Sequence, residues 1–330
     1  MLGFVSYGDL GAIVARGIDR VPSGIELVVG IPRSGMIPAY MIGLYRNVAV
    51  VDLPSFLDGK SPENGLRELD RKHSTVKDAR WILLVDDSCS SGRAMHEAQS
   101  RIRDSGYTGK ITTCAIIVEP SRHDEVDIHF REMPHPRLFE WNCFHHTLVE
   151  EACFDLDGIL CVDPTREEND DGPRYLEFLR NAKPLFRPTK VIGNIVSARL
   201  EKYRQPTQQW LSENKILYRN LYLIDLPTAA DRIRLNEHCT HKARVYRESG
   251  ATIFYESDSS QAIEIARLSS KPVLCTNDMH LYLPDMHSWP VKEIVKWQFA
   301  VPIGRVKAKV RPILARARNT FIQWVTKAMA

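Results

Sequence analysis

Residues 82–94 read Ile-Leu-Leu-Val-Asp-Asp-Ser-Cys-Ser-Ser-Gly-Arg-Ala. Four apolar residues, then two adjacent acids, then a run of small residues describe a buried strand, a tight turn and the start of a helix. Its neighbours repeat the pattern. Glu26–Val29, Val48–Val51 and Ile111–Val118 are short, β-branched apolar runs separated by helical or loop stretches. Strands of this kind alternating with helices predict a parallel sheet with helices on its faces, here over residues 1–148. Between Pro54 and Arg80 lies a polar stretch with Gly59, Pro62 and Gly65. It holds too few apolar residues for a core element and is expected to be a long mobile loop.

A second alternating series begins near Val149. Cys153-Phe154, Lys190–Val196, Leu221–Ile224, Thr252–Tyr255 and Pro272–Leu274 are its expected strands, and Met133–Thr147 the connection to it. The expected architecture is α/β: two doubly wound parallel-sheet, Rossmann-like domains in tandem, over 1–148 and 149–290. A basic amphipathic helical tail over 291–330 follows them.

Composition agrees with two globular domains. The chain has 330 residues, 44% hydrophobic and 26% charged, which excludes disordered and fibrous classes. Its seven Cys are odd in number and form no CxxC pair, so free thiols in a reducing compartment are expected rather than a disulfide framework. The N-terminus MLGFVSYGDL has no basic region followed by a long apolar run, and the expected location is cytoplasmic. The net charge of +3 hides an asymmetry. Residues 291–330 hold nine Lys and Arg against the single acid Glu293, which leaves the rest of the chain acidic. Trp297, Phe299, Phe321 and Trp324 are interleaved with those bases. Such a mixture suits helices lying on an anionic membrane surface; helices docked on the body and a nucleic-acid contact are the alternatives, and no nucleic acid is expected.

The small-residue turn after Asp86 and Asp87 makes an anion cradle, because free amides and a helix dipole converge there. Two carboxylates beside it can accept hydrogen bonds from a vicinal diol, so a sugar bearing a phosphate is the expected ligand. This segment resembles the phosphoribosyl-pyrophosphate signature of type I phosphoribosyltransferases. The resemblance implies that Asp86 and Asp87 hold the ribose hydroxyls, and that Ser90, Ser91, Gly92, Arg93 and Ala94 line the 5-phosphate turn. Ala94 stands where that family often has Thr. Val28–Gly35 is again strand, turn and helix, and resembles the family's pyrophosphate loop, with Arg33, Ser34 and Gly35 as the gripping residues. Arg67, Arg71, Lys72 and His73 are candidates for a loop closing over the site.

Ala152–Leu160 is another apolar strand ending in carboxylates, Asp155 and Asp157, spaced i, i+2. In a loop after a strand that spacing lets one attack and the other move protons while both face one cation. The segment resembles the first motif of the haloacid dehalogenase superfamily. Ile195–Arg199 resembles the second, Thr240–Arg244 the third and Tyr255–Asp258 the fourth. The resemblance implies phosphate monoester hydrolysis with Mg²⁺. Asp155 is then the nucleophile and Asp157 the proton-transfer group. Ser197 and Lys242 contact the phosphoryl group, and Asp155, Asp157, Glu256 and Asp258 form the metal set. Ile159 stands in place of a frequent Thr, and the fourth motif spaces its acids as Glu-Ser-Asp. Only 40 residues separate Asp157 from Ser197, which leaves little for a large cap and favours a phosphate on a bulky molecule.

His145 and His146, near Trp141 and Asn142, can line an acceptor pocket or a domain interface. His238, Cys239 and His241 look like metal ligands but lack a second pair at zinc spacing. Taken together, the sequence predicts a bifunctional ribofuranose-adding enzyme resembling those of bacterial surface-polysaccharide assembly. It transfers 5-phosphoribose from phosphoribosyl pyrophosphate to a glycan or lipid-linked glycan acceptor, then removes the 5-phosphate, on the inner face of the membrane. Asp87 and Glu119 are its candidate bases for the acceptor hydroxyl. A nucleobase phosphoribosyltransferase with nucleotidase activity, and a phosphoribosyl-pyrophosphate sensor, are the alternatives.

Overall fold

A computed structural model describes residues 2–60 and 75–285. The 291–330 tail and the loop candidates Arg67, Arg71, Lys72 and His73 lie outside the described residues. The first part of the chain runs β1 (Gly3–Val5), α1 (Tyr7–Gly17), β2 (Leu27–Gly30), α2 (Met36–Arg46), β3 (Ala49–Asp52), α3 (Leu53–Leu57), β4 (Trp81–Cys89), α4 (Arg93–Asp104), β5 (Lys110–Val118), β6 (Ile128–Glu132) and β7 (Arg137–Phe139). The second runs β8 (Ala152–Phe154), α5 (Pro173–Asn181), β9 (Ile192–Leu200), α6 (Arg204–Glu213), β10 (Tyr218–Ile224), α7 (Ala229–Arg234), α8 (Glu237–Glu248), β11 (Ile253–Glu256), α9 (Ser259–Ser269), β12 (Val273–Cys275) and β13 (His280–Tyr282).

Five parallel strands form the first sheet in the order β3-β2-β4-β5-β6. Strand periodicity sends alternate residues to opposite faces. Leu83 and Val85 of β4 join Leu10, Val14, Ala39 and Ile42 of α1 and α2. Ile82 and Leu84 join Phe56, Met95, Ala98 and Ile102 of α3 and α4. In α4 the spacing of Met95, Ala98 and Ile102 gives the helix one apolar face, and that face is buried.

The two described ends of the stretch between Pro54 and Arg80 carry structure of their own, while residues 61–74 of the expected mobile loop lie outside the described residues. Asp52 caps α3 by accepting the Ser55 N–H at 2.6 Å, Pro54 sits in its first turn, and Phe56 is fully buried. Val76, at the other end of the stretch, is buried in the same core. Two well-placed apolar residues anchor the ends, which a count over the whole stretch dilutes.

The second sheet has the order β10-β9-β8-β11-β12-β13, parallel except for the last pair. Phe154, Ile195 and Tyr255 face α5 and α6 through Tyr175, Phe178, Trp210 and Leu211. Cys153, Val196 and Phe254 face α8 and α9 through Ala243, Tyr246, Ala262 and Ile265. The seven cysteines are unpaired and six of them are buried. No helix among the described residues is long and apolar enough to cross a membrane.

Both sheets have a point where strand order reverses. In the first it lies between β2 and β4; in the second, between β8 and β11. Crevices open at such points beyond the carboxyl ends of the strands, and candidate side chains lie at or just after the carboxyl ends of those four strands, joined by Ser197 of β9 and Lys242 of α8.

Candidate functional site

At the first reversal point, the loop Ile31–Gly35 after β2 lies against the carboxyl end of β4. Strand pairing with β5 continues to Cys89, so Asp86 and Asp87 sit inside β4 and the turn starts later than the apolar run suggests. The Ile31 N–H donates to the Val85 carbonyl at 2.9 Å, which draws the loop onto the acids. Gly35 permits the approach. A Cβ there would collide with the Ile31 carbonyl and stand 2.9 Å from Asp86 Oδ1 and 3.0 Å from the Val85 carbonyl.

The two acids have different partners. Asp87 is buried and accepts from the Ser34 hydroxyl and from Trp141 Nε1–H, each at 2.9 Å. Asp86 accepts the Asp87 N–H at 2.9 Å. Burial, and then the charge of Asp87, push the Asp86 carboxyl up to about 8. An acid held in that state takes hydroxyl ligands and gains from a nearby cation.

The turn that follows reaches α4 through Gly92 at φ +77°, a left-handed conformation that suits glycine. Ser91, Arg93 and Ala94 are exposed along it. Ser90 Oγ accepts from Arg137 Nη2 at 2.8 Å and is 3.1 Å from His135 Nε2. The Glu119 carboxylate accepts the His135 N–H at 3.1 Å. Arg33, Ser34, Ile37, Asp87, Ser88, Phe139, Trp141 and Asn142 surround an open cleft of about 350 Å³. His145 is not among these; its ring meets Thr189 Oγ1 at 3.2 Å.

The second cleft, also about 350 Å³, lies beyond the ends of β8 and β11. Asp155, Asp157, Asp163, Glu256 and Asp258 line it, with Ala198, Arg232 and His238. Lys242, fully buried in α8, sits between acids: its Nζ donates to Asp155 Oδ2 at 2.7 Å, Glu256 Oε2 at 2.8 Å and Gln261 Oε1 at 3.0 Å. A buried ammonium survives only with such compensation, and the two carboxylates supply it, holding Lys242 well above the ordinary lysine range. Burial pushes Asp155 up to about 8; Lys242 works against that, while Glu256 and Asp157 add to it.

Asp157 is gripped by a buried arginine that no sequence argument assigned a part. Arg199 donates to it from Nη2 at 2.5 Å and from Nε at 3.1 Å. Ser197, inside β9, is buried and accepts the Arg199 N–H at 3.2 Å. Asp258 caps α9 through the Gln261 N–H at 2.9 Å, leaving it exposed at the rim, whereas Glu256 is fully enclosed.

Sequence reasoning also missed Asp163. Burial, and then the charges of Asp157 and Glu256, push its carboxyl upward. Only its place in an apolar run shortly after Asp155 hints at it. His238, on the cleft wall, is pushed down to about 4, by burial and then by Lys242 and Arg232, and is neutral near pH 7. His241 is likewise pushed down to about 4 by burial and then Arg244, but lies in the interior.

Five carboxylates against Lys242, Arg199 and Arg232 leave this cleft with surplus negative charge. Hard oxygen donors of this kind fit Mg²⁺. Among the described residues no three His, Cys, Asp or Glu side chains converge as a ready-made metal cage.

No family model matches the sequence, and no curated protein matches it. Solved structures do. The purine phosphoribosyltransferase of Pyrococcus horikoshii matches at 13% identity and a TM-score of 0.31, over 42% of this chain and 93% of that one. The Helicobacter pylori xanthine-guanine-hypoxanthine phosphoribosyltransferase matches at 16% identity and 0.34, over 43% and 93%. The orotate phosphoribosyltransferase of Aeropyrum pernix matches at 13% identity and 0.27, over 38% and 71%.

Proposed function

We propose that the protein transfers 5-phosphoribose from phosphoribosyl pyrophosphate to a glycan hydroxyl and then hydrolyses the 5-phosphate. The observation that carries this reading is the presence of both clefts in one chain: one with Asp86, Asp87 and a glycine-lined loop, the other with Asp155 beside a buried Lys242. The first prepares a phosphate monoester, and the second is equipped to remove it.

In the first cleft Asp86 and Asp87 accept the ribose hydroxyls. Amides of the Ser90–Ala94 turn hold the 5-phosphate, and Arg33 with the Ile31–Gly35 loop holds the diphosphate. The acceptor oxygen bonds to C1 of the ribose, the C1–O bond to diphosphate breaks, and diphosphate leaves with the electron pair. Asp87 is the poorer candidate for taking the hydroxyl proton, because it already accepts from Ser34 and Trp141 and its remaining lone pairs are the ones assigned to the ribose hydroxyls. Glu119, beside His135, is the better one.

In the second cleft an Asp155 oxygen bonds to phosphorus as the P–O bond to the sugar breaks, and water then hydrolyses the aspartyl phosphate. Lys242 neutralises the nucleophile before attack and the phosphoryl oxygens during it. Asp155, Asp157 and Glu256 or Asp258 are the residues that would hold Mg²⁺, which would supply further charge neutralisation when bound. Asp157 moves the proton. Its delivery to the leaving oxygen requires the Arg199 pair to open.

Two features favour a bulky hydroxyl acceptor over a flat base. The Trp141 ring is already engaged by Phe139, stacked at 4.9 Å, and by Tyr7 at 5.6 Å; Ser34, Ser88 and Asn142 supply the cleft's polar groups. Between β8 and β9 the chain forms the single α-helix α5, too little for a cap over the second cleft.

The test is mass spectrometry of products from Asp155→Asn and wild-type protein, incubated with Mg²⁺, phosphoribosyl pyrophosphate and parallel glycan and nucleobase acceptors. A glycan that gains a phosphopentose with the variant and a pentose with wild type establishes the reading. Transfer to a base alone replaces it with nucleoside formation.

A further inference from the structure

The first cleft is not built by the first sheet alone. β1 and β7 pair in parallel as a separate two-stranded ribbon, Gly3 opposite Arg137 and Val5 opposite Phe139. The alternation along β7 divides it between two cores. Phe139 packs with the residues under α1 and α2, whereas Leu138 packs with Phe154, Ile195 and Tyr255 of the second sheet. The residues after β7 continue the division. Trp141 donates to Asp87, while Cys143 and Phe144 are buried in the second core. There the Tyr255 hydroxyl donates to the Cys143 carbonyl at 2.8 Å, and Phe144 stacks on Phe186 at 4.1 Å.

Arg137 ties the start of this segment to the phosphate turn. It is buried and donates to the Met133 and Cys89 carbonyls and to Ser90 Oγ, at 2.8, 3.0 and 2.8 Å. Two parts of the first cleft, Asp87 and the Cys89–Ser90 turn, therefore have a partner on residues 137–142, and that segment is anchored in the second core through Leu138, Cys143 and Phe144. The Asp87 carboxylate is enclosed, so its orientation depends on its two donors, Ser34 from the β2 loop and Trp141 from the clamped segment.

We propose that Trp141 is a positioning residue for Asp87, and that through residues 137–144 the first cleft takes its working shape from the packing of the second half of the chain. The inference rests on the reading of the first cleft as a phosphoribosyl-pyrophosphate site. It makes transfer a property of the whole chain rather than of residues 1–148.

The test uses the full-length protein. Trp141→Phe keeps a ring against Phe139 and removes the donor to Asp87. Loss of a hydrogen bond to a buried carboxylate is expected to raise KM for phosphoribosyl pyrophosphate roughly tenfold, with a smaller effect on kcat. Hydrolysis of p-nitrophenyl phosphate stays unchanged. Leu138→Ala, which touches the second core and not the cleft, is expected to raise the same KM with the melting temperature only modestly lowered. Ser34→Ala combined with Trp141→Phe should cost more than the sum of the two, because Asp87 then loses both donors. An unchanged KM in Trp141→Phe overturns the proposal, as does an equal loss of both activities tracking the melting temperature, which signals mere unfolding. Wild-type protein that binds no phosphoribosyl pyrophosphate by calorimetry overturns the underlying reading, and the proposal with it.

Discussion

Replacing Asp86 by Asn removes a charge that the folded protein accommodates poorly. In the unfolded chain the carboxyl ionises near 3.8; in the native state burial and Asp87 move it to about 8. A carboxyl whose folded value is raised favours folding fully below its unfolded value, and that contribution is lost as pH rises toward the folded value. Each pH unit of the gap is worth about 1.4 kcal/mol, so near pH 7 the cost approaches about 4 kcal/mol. Asn keeps the acceptor for the Asp87 N–H and does not ionise, so we expect Asp86→Asn to stabilise the protein by about 2 kcal/mol or more at pH 7 to 8. The advantage should vanish near pH 4. Urea unfolding followed by circular dichroism at pH 4, 6 and 8 measures it, and phosphoribosyl-pyrophosphate binding by calorimetry should weaken in the same variant. A stability difference that is flat in pH, or a variant less stable at pH 8, refutes the assignment of Asp86 as a half-buried acid whose ionisation the fold disfavours.

Lys242→Met leaves Asp155 and Glu256 buried without their cation, and unfolding measurements should show a loss of about 3–5 kcal/mol, together with loss of phosphatase activity. Gly35→Ala drives a methyl group into the Ile31 carbonyl and toward Asp86; a loss of about 1–3 kcal/mol and of phosphoribosyl-pyrophosphate binding is expected, with p-nitrophenyl phosphate hydrolysis retained. Chelation by EDTA should abolish that hydrolysis, and added Mg²⁺ should restore it, while Ca²⁺ restores it poorly because its larger, looser coordination sphere misplaces the phosphate. Deleting residues 291–330 should release the protein from anionic vesicles in a sedimentation assay, and undiminished binding would remove the basis for membrane association in the tail's basic and aromatic residues.

The alternation of apolar runs with helical stretches was enough to read two parallel α/β sheets from the chain, because a strand covered on both faces has no polar face to disguise it. The carboxylates at the strand ends, Asp86-Asp87 and Asp155-Leu156-Asp157, stood out for the same local reason, although β4 runs on to Cys89 and the turn starts later than the apolar run suggests. Short edge elements were not legible: β13, the one antiparallel strand of the second sheet, is three residues hairpinned onto β12, and the β1–β7 ribbon pairs two three-residue strands from distant parts of the chain. The partners of the charged groups depended on tertiary structure too. Arg199 is 42 residues from Asp157, Lys242 is 87 from Asp155 and Trp141 is 54 from Asp87. Composition and periodicity specify which faces are buried; which buried charge compensates which is decided only when strand order brings the ends of β8, β9 and β11 together. Local sequence thus determined the elements and the chemistry available to them, and only the folded chain, by excluding water from those carboxylates, determined which of them are held, shifted and aimed.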